Sequence, residues 1–180
     1  MEQLTNNFNN AGSWLIETLL TLYSLILLLR LILQLVKADY RNPLVQLLVL
    51  MTDPVVKPLR KLLPPLARID SASLLLFLLT TALLVSFWDP LASTPAMIAI
   101  RTITRSLQIL LSFYTVMILA AVVISWLGQA WRHPVIPLIY QITEPLLAPL
   151  RRRLPNLGGF DFSPIVALIG LQFLRLLVGY

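Results

Sequence analysis

Side chains able to do acid–base or ligand chemistry are few on this chain, and the ones that stand out are duplicated. Asp53 and Glu144 lie 91 positions apart in matched surroundings, Thr52-Asp53-Pro54 and Thr143-Glu144-Pro145. Two carboxylates can act as general acid and base when their environments push their pKa values apart. The Thr-acid-Pro order, however, is what a helix start requires: a capping oxygen, then proline in the first turn. The pair is therefore read as structural. His133 is the single histidine and has no second ligand at metal-binding spacing. It stands where the other copy has Asn42, so a polar role at a helix end is expected. Gly158-Gly159 lacks the pattern of a phosphate loop and reads as a turn. With no cysteine, disulfides, thiolate metal sites, thioether haem attachment and cysteine nucleophiles are excluded. No Ser/His/Asp grouping assembles from groups so scattered. The expectation is a protein that is not an enzyme, with no catalytic residue, metal or cofactor.

The matched acids belong to a longer repeat. Thr52 to Pro64 reads TDPVVKPLRKLLP, and Thr143 to Pro155 reads TEPLLAPLRRRLP. The register holds without a gap from Tyr23/Tyr114 through Arg41/Arg132 and Pro43/Pro134 to Asp70/Asp161. Each copy is a long apolar segment, a proline-punctuated basic segment and a second apolar segment.

At 58% hydrophobic and 12% charged, this 180-residue chain is too apolar for a soluble domain. Four runs approach the roughly 17–25 helical residues that cross a hydrocarbon core: Trp14–Val36, Ser71–Trp88, Ile109–Leu127 and Phe162–Val178. In lipid each must satisfy its own backbone, so each is expected to be a helix. The predicted fold is an all-α integral membrane protein with four spans from two parallel tandem repeats. Its parts are a polar tail (1–13), repeat 1 (14–88), an outer connection (89–113) and repeat 2 (114–180). Residues 1–13 carry Glu2 and no basic residue, so a cleaved signal peptide is not expected.

Basic residues set the expected orientation. Lys37, Arg41, Lys57, Arg60, Lys61 and Arg68 fall between the first two spans, and Arg132, Arg151, Arg152 and Arg153 between the last two. The positive-inside rule then places both loops in the cytoplasm and both termini outside, a multi-pass protein of the bacterial inner membrane. Pro95 follows Thr94 and opens a helix whose Arg101, Arg105 and Gln108 share one face. Residues 95–108 read as an amphipathic helix that lies on the outer surface and runs into the third span, or as a simple water-exposed extension of that span.

In each loop a short apolar stretch follows Pro43 or Pro134, and a new helix is expected at Asp53-Pro54 or Glu144-Pro145. Pro58 and Pro149 should shorten or bend these helices, and Pro64 and Pro155 should end them. The pieces are interfacial or re-entrant. Lys57, Arg60 and Lys61, with Arg151, Arg152 and Arg153, are candidates for binding anionic inner-leaflet lipid or a membrane partner, each cation worth about 1 kcal/mol. The alternative is that they only enforce topology.

Polar residues inside the spans are the other candidates. Arg30, Gln34 and Lys37 recur at i, i+4, i+7, opposite Ala121, Ser125 and Gly128 in the second copy. Arg30 could lie against that small-residue groove, or snorkel to the headgroups. Glu17 and Arg175 could pair across the first and fourth spans. Thr80, Thr81 and Gln172, the last the counterpart of Thr81, could bond across the second and fourth spans or to their own backbone. Trp14, Trp88, Trp126, Trp131, Tyr40 and Tyr180 read as interfacial anchors.

The doubled [TS]-[DE]-P-x3-P-L-R-[KR], each between apolar spans, resembles the YggT family of small bacterial and plastid membrane proteins, in its two-repeat form. The matching positions are Pro43, Asp53, Pro54, Pro58, Leu59, Arg60 and Pro64, and Pro134, Glu144, Pro145, Pro149, Leu150, Arg151 and Pro155. The resemblance carries no agreed activity. It implies links to osmotic stress tolerance and ion homeostasis, to events near the division septum, or to haem assembly on a cytochrome. The expected function is a scaffold or assembly and stress-tolerance factor whose basic loops engage anionic lipid or a membrane partner. The alternative is a channel-like oligomer moving ions or solutes under osmotic stress. A homo-oligomer is open, and no nucleic-acid partner is expected.

Overall fold

The computed structural model describes residues 2–63, 69–127, 133–154 and 161–179. Pro64, Arg68, Gly128, Trp131, Arg132, Pro155, Gly158, Gly159 and Tyr180, singled out above, lie outside the described residues. Among those described there are six helices: α1 Glu2–Leu35, α2 Pro43–Leu62, α3 Ser71–Trp88, α4 Pro95–Leu127, α5 Val135–Arg153 and α6 Ser163–Val178. The order is long, proline-containing, apolar, then the same again. α1 packs along α3 and α4 along α6, while α3 against α4 joins the two halves.

Three helices are long and apolar enough to cross a membrane, over Asn9–Leu35, Ser71–Trp88 and Pro95–Trp126. α6 has 16 residues; at about 1.5 Å per residue it reaches about 24 Å, short of a core about 30 Å thick. One expected boundary moves: the polar segment 2–13 continues α1. Residues 95–108 run into the third apolar segment as one helix of 33 residues, in line with the sequence.

The loops differ more. No new helix begins at Asp53 or Glu144, because α2 and α5 each run unbroken through two prolines, Pro54 and Pro58 or Pro145 and Pro149. Tertiary burial overrides the local break. Val45, Leu48, Thr52 and Val56 form one buried stripe spaced at three and four residues, which continues past Pro54. Next to the proline, Thr52 Oγ1 donates to the Leu48 carbonyl at 2.7 Å; Thr143 does the same to Ile139 at 2.9 Å. The hydroxyl adds a second donor to a carbonyl one turn back, two residues before the carbonyl that proline's missing N–H would have met.

The other end of α1 is closed by Lys37, which takes a left-handed φ of 53° as the Ala38 N–H reaches back to the Leu33 carbonyl at 2.9 Å. Lys37 therefore leaves the helical face it was expected to share with Arg30 and Gln34. The larger core lies in repeat 1 around Leu27, Leu31, Val56 and Phe77, and takes in Leu138 and Ile142 of α5. A smaller one in repeat 2 centres on Ile118, Leu147, Ala167 and Leu171.

Candidate functional site

Arg30 does not snorkel, nor does it face the small residues of α4. It is 6% exposed and turns within its own repeat. Nη2 lies 2.9 Å from Asp53 Oδ1, Nη1 donates to Thr52 Oγ1, and Nε lies 4.0 Å from Asp70 Oδ2. A guanidinium this buried needs partners, because insertion of an arginine costs about 2.5–3.5 kcal/mol at membrane depth. Here α2 and the start of α3 supply them. Thr52 is suited to this position, since its hydroxyl accepts from Arg30 while donating to its own helix.

Arg60 closes the network from outside. Its Nε donates to Asp70 Oδ1 at 3.3 Å and its Nη2 pairs with Oδ2. Ser73 Oγ donates to the same carboxylate at 2.8 Å, and Lys57 Nζ lies 2.9 Å from Asp53 Oδ2. Burial pushes the Asp70 carboxyl up, but the hydrogen bonds from Arg60 and Ser73 and the charges of Arg60 and Arg30 outweigh it. Asp70 is held below the usual carboxylate range. Asp53 is also held low: desolvation raises it, and the bonds from Lys57 and Arg30 win. Asp70 sits at the N-cap of α3, where negative charge is favoured by the helix dipole.

Repeat 2 builds the same brace with fewer parts. Arg151 Nη1 lies 3.0 Å from Glu144 Oε1 and its Nε 2.9 Å from Asp161 Oδ2. Asp161 Oδ1 also accepts from the Ser163 N–H at 2.9 Å. Desolvation raises the Asp161 carboxyl, but Ser163 and Arg151 hold it low. Its side chain is 41% exposed, against 3% for Asp70.

The basic candidates therefore divide. Arg60 and Arg151 are committed to the braces although each side chain is 47% exposed, and Lys57 is tied to Asp53. Lys61, Arg152 and Arg153 are exposed at the ends of α2 and α5 and make no ion pair among the described residues. Asp70 and Asp161 were missed as site residues in the sequence, although both stand ten positions after the motif arginine, a spacing that pointed to them.

Other candidates separate. Asn42 caps α2, its Oδ1 accepting from the Leu44 N–H at 2.9 Å, and His133 Nδ1 accepts from the Val135 N–H at 3.3 Å in the matching place. Asn42 Nδ2 also donates to the Pro134 carbonyl at 2.7 Å, so α2 and α5 start side by side. Thr81 bonds its own helix, Oγ1 to the Phe77 carbonyl at 2.8 Å, and Gln172 is exposed. The bond between α1 and α3 is made one residue earlier, from Ser24 Oγ to Thr80 Oγ1 at 2.9 Å. Glu17 does not pair with Arg175. It lines a cavity of about 280 Å³ with Arg101 and Arg105, where Arg101 Nε lies 3.9 Å from Asp89 Oδ2.

Apolar helices with ionic braces at their proline-kinked connections define a small all-helical membrane protein. The CCB3/YggT family model matches residues 9–91 and 100–180, one stretch per repeat. The chain is 39% identical over 180 residues to an uncharacterised protein of Pseudomonas aeruginosa, covering 94% of this chain and 89% of that one. It is 33% identical over 174 residues to the uncharacterised protein YggT of Escherichia coli, covering 93% and 88%. A third relative, an uncharacterised protein of Haemophilus influenzae, is 38% identical over 161 residues, covering 89% and 87%. The chain belongs to the YggT family. No solved structure matches it.

Proposed function

We propose that this protein is a non-enzymatic scaffold of the bacterial inner membrane, with α2 and α5 forming one basic surface against the anionic inner leaflet. In this reading α1, α3, α4 and the shorter α6 are four spans, both termini are outside and both kinked helices face the cytoplasm. One observation carries it. α2 and α5 start together at the Asn42–Pro134 bond, and each ends in exposed cations that no acid among the described residues pairs with, Lys61 in one and Arg152 and Arg153 in the other. The motif arginines do the internal work, which leaves the neighbouring positions to meet lipid or a partner.

Reconstitution in vesicles of graded phosphatidylglycerol content tests this through the enrichment of anionic lipid around the protein. Reversing Lys61, Arg152 and Arg153 to Glu should lower that enrichment, since each lost cation weakens the attraction to an anionic headgroup by about 1 kcal/mol. An unchanged enrichment would remove the lipid-surface reading. A cation-selective flux from the purified protein, abolished by substituting Arg30 or Thr81, would replace it with transport of ions under osmotic stress.

A further inference from the structure

The two braces do not carry equal charge. Repeat 2 closes with Arg151 between Glu144 and Asp161, a formal charge of −1. Repeat 1 has the equivalents of all three in Asp53, Arg60 and Asp70, yet it adds Arg30 and Lys57 where repeat 2 has Ala121 and Ala148. No further acid joins them among the described residues, and the cluster ends at +1. Holding the elbow closed does not need these two cations, as repeat 2 demonstrates.

The added cations and Arg60 line a cavity of about 140 Å³ between α1 and α2. Arg30 stands at its buried end, with its side chain 7% exposed; Lys57 and Arg60 are at 69% and 47%. Lys57 reaches over the half-buried Asp53 carboxylate, which also lines the cavity, and its own side chain is largely in solvent, so a phosphate competes with Asp53 for an exposed ammonium. Arg60 uses Nε and Nη2 on Asp70, and its Nη1 makes no hydrogen bond among the described residues. Leu33, Val45 and Leu48 form an apolar wall beside these donors. Cations converging beside an apolar wall suit a phosphate that carries an acyl chain.

We propose that this repeat 1 cavity binds one phosphate group, that of an anionic phospholipid, between Lys57 Nζ and Arg60 Nη1, with Arg30 supplying positive charge from behind. The site rests on the membrane orientation given under Proposed function, which sets the end of α1 at headgroup depth. It is separate from the surface cations of α2 and α5, and repeat 2 has Ala121 and Ala148 where this site has Arg30 and Lys57.

The full chain in detergent, titrated with phosphatidylglycerol and counted by native mass spectrometry, should show one tightly held lipid. Lys57→Glu should weaken it about tenfold and Lys57→Ala about fivefold, following the value of one cation near an anionic headgroup. Thermal melting of both variants checks that the fold survives. Inorganic phosphate titrated alone distinguishes the source: binding that Lys57→Glu abolishes assigns the same site to free phosphate. The Lys61/Arg152/Arg153→Glu variant should lose weaker lipid adducts and keep the tight one. If that variant alone removes every bound lipid, the surface reading stands and the cavity proposal is overturned. Unchanged lipid binding in Lys57→Glu, with no phosphate bound, overturns it as well.

Discussion

Asp53 of repeat 1 meets Arg30 and Lys57 at 2.9 Å each, whereas Glu144 of repeat 2 meets Arg151 at 3.0 Å on an exposed surface. The same contrast holds deeper in the helices. Ser24 and Thr80 tie α1 to α3, while their counterparts are Thr115, which bonds its own helix at Leu111, and apolar Leu171. The geometry common to both, an acid before proline, an arginine seven residues on and a second acid ten further, is what bends the chain back into its second apolar helix. Whatever repeat 1 adds to that goes beyond the turn. Repeat 2 carries the brace alone, and repeat 1 carries buried charge beyond it.

Arg30→Leu should break this comparison most severely. It leaves Thr52, Asp53 and Asp70 without their shared cation, and losing one member of a buried ionic group typically costs about 3–5 kcal/mol. Thermal unfolding in detergent measures it, with Ala121→Leu as the reference change in repeat 2. A melting temperature unaltered by Arg30→Leu would show that the buried network contributes nothing.

Asp70→Asn against Asp161→Asn sharpens the contrast by exposure. The first should cost several-fold more than the second, which removes a half-exposed pair worth under about 1 kcal/mol. Acid adds a signed test. Asp70 titrates lower in the folded chain than in the unfolded one, so the unfolded state binds more protons as pH falls. Its stabilisation is complete above about pH 4, the ordinary Asp value, and is lost as pH drops through the folded pKa. Wild type should lose more stability over that range than Asp70→Asn; equal losses would assign the acid sensitivity elsewhere.

Asn42→Ala should cost about 1 kcal/mol, since it removes a helix cap and also the bond to Pro134. His133→Ala removes a longer bond of 3.3 Å and should cost less. Smallest of all, Ala148→Lys should stay within about 0.5 kcal/mol, because the position on α5 is partly open to solvent and a long side chain there can reach out. Chemical denaturation would rank the three.

Much of this architecture was legible in the chain. The gapless repeat placed equivalent residues correctly, and composition announced the apolar helices. The continuity of α2 and α5 was not legible, because proline is a local signal and the buried stripe that overrides it depends on α1 and α3. Arg30 was misplaced for a related reason. Repeat arithmetic set it opposite Ala121, but its hydrogen-bond partners lie 22 and 23 residues away on α2, with Asp70 beyond them at the start of α3.

Sequence alone determined that two copies of one apolar, proline-kinked module follow each other, and where each places its acids and its motif arginine. Those properties are local, carried by residue type and spacing. Only the tertiary structure decided that Arg60 and Arg151 pair with the second acids Asp70 and Asp161, and that Arg30 is buried among carboxylates. Pairing of that kind depends on which helices approach, and a guanidinium withdrawn from water adopts whichever carboxylate the packing brings within reach.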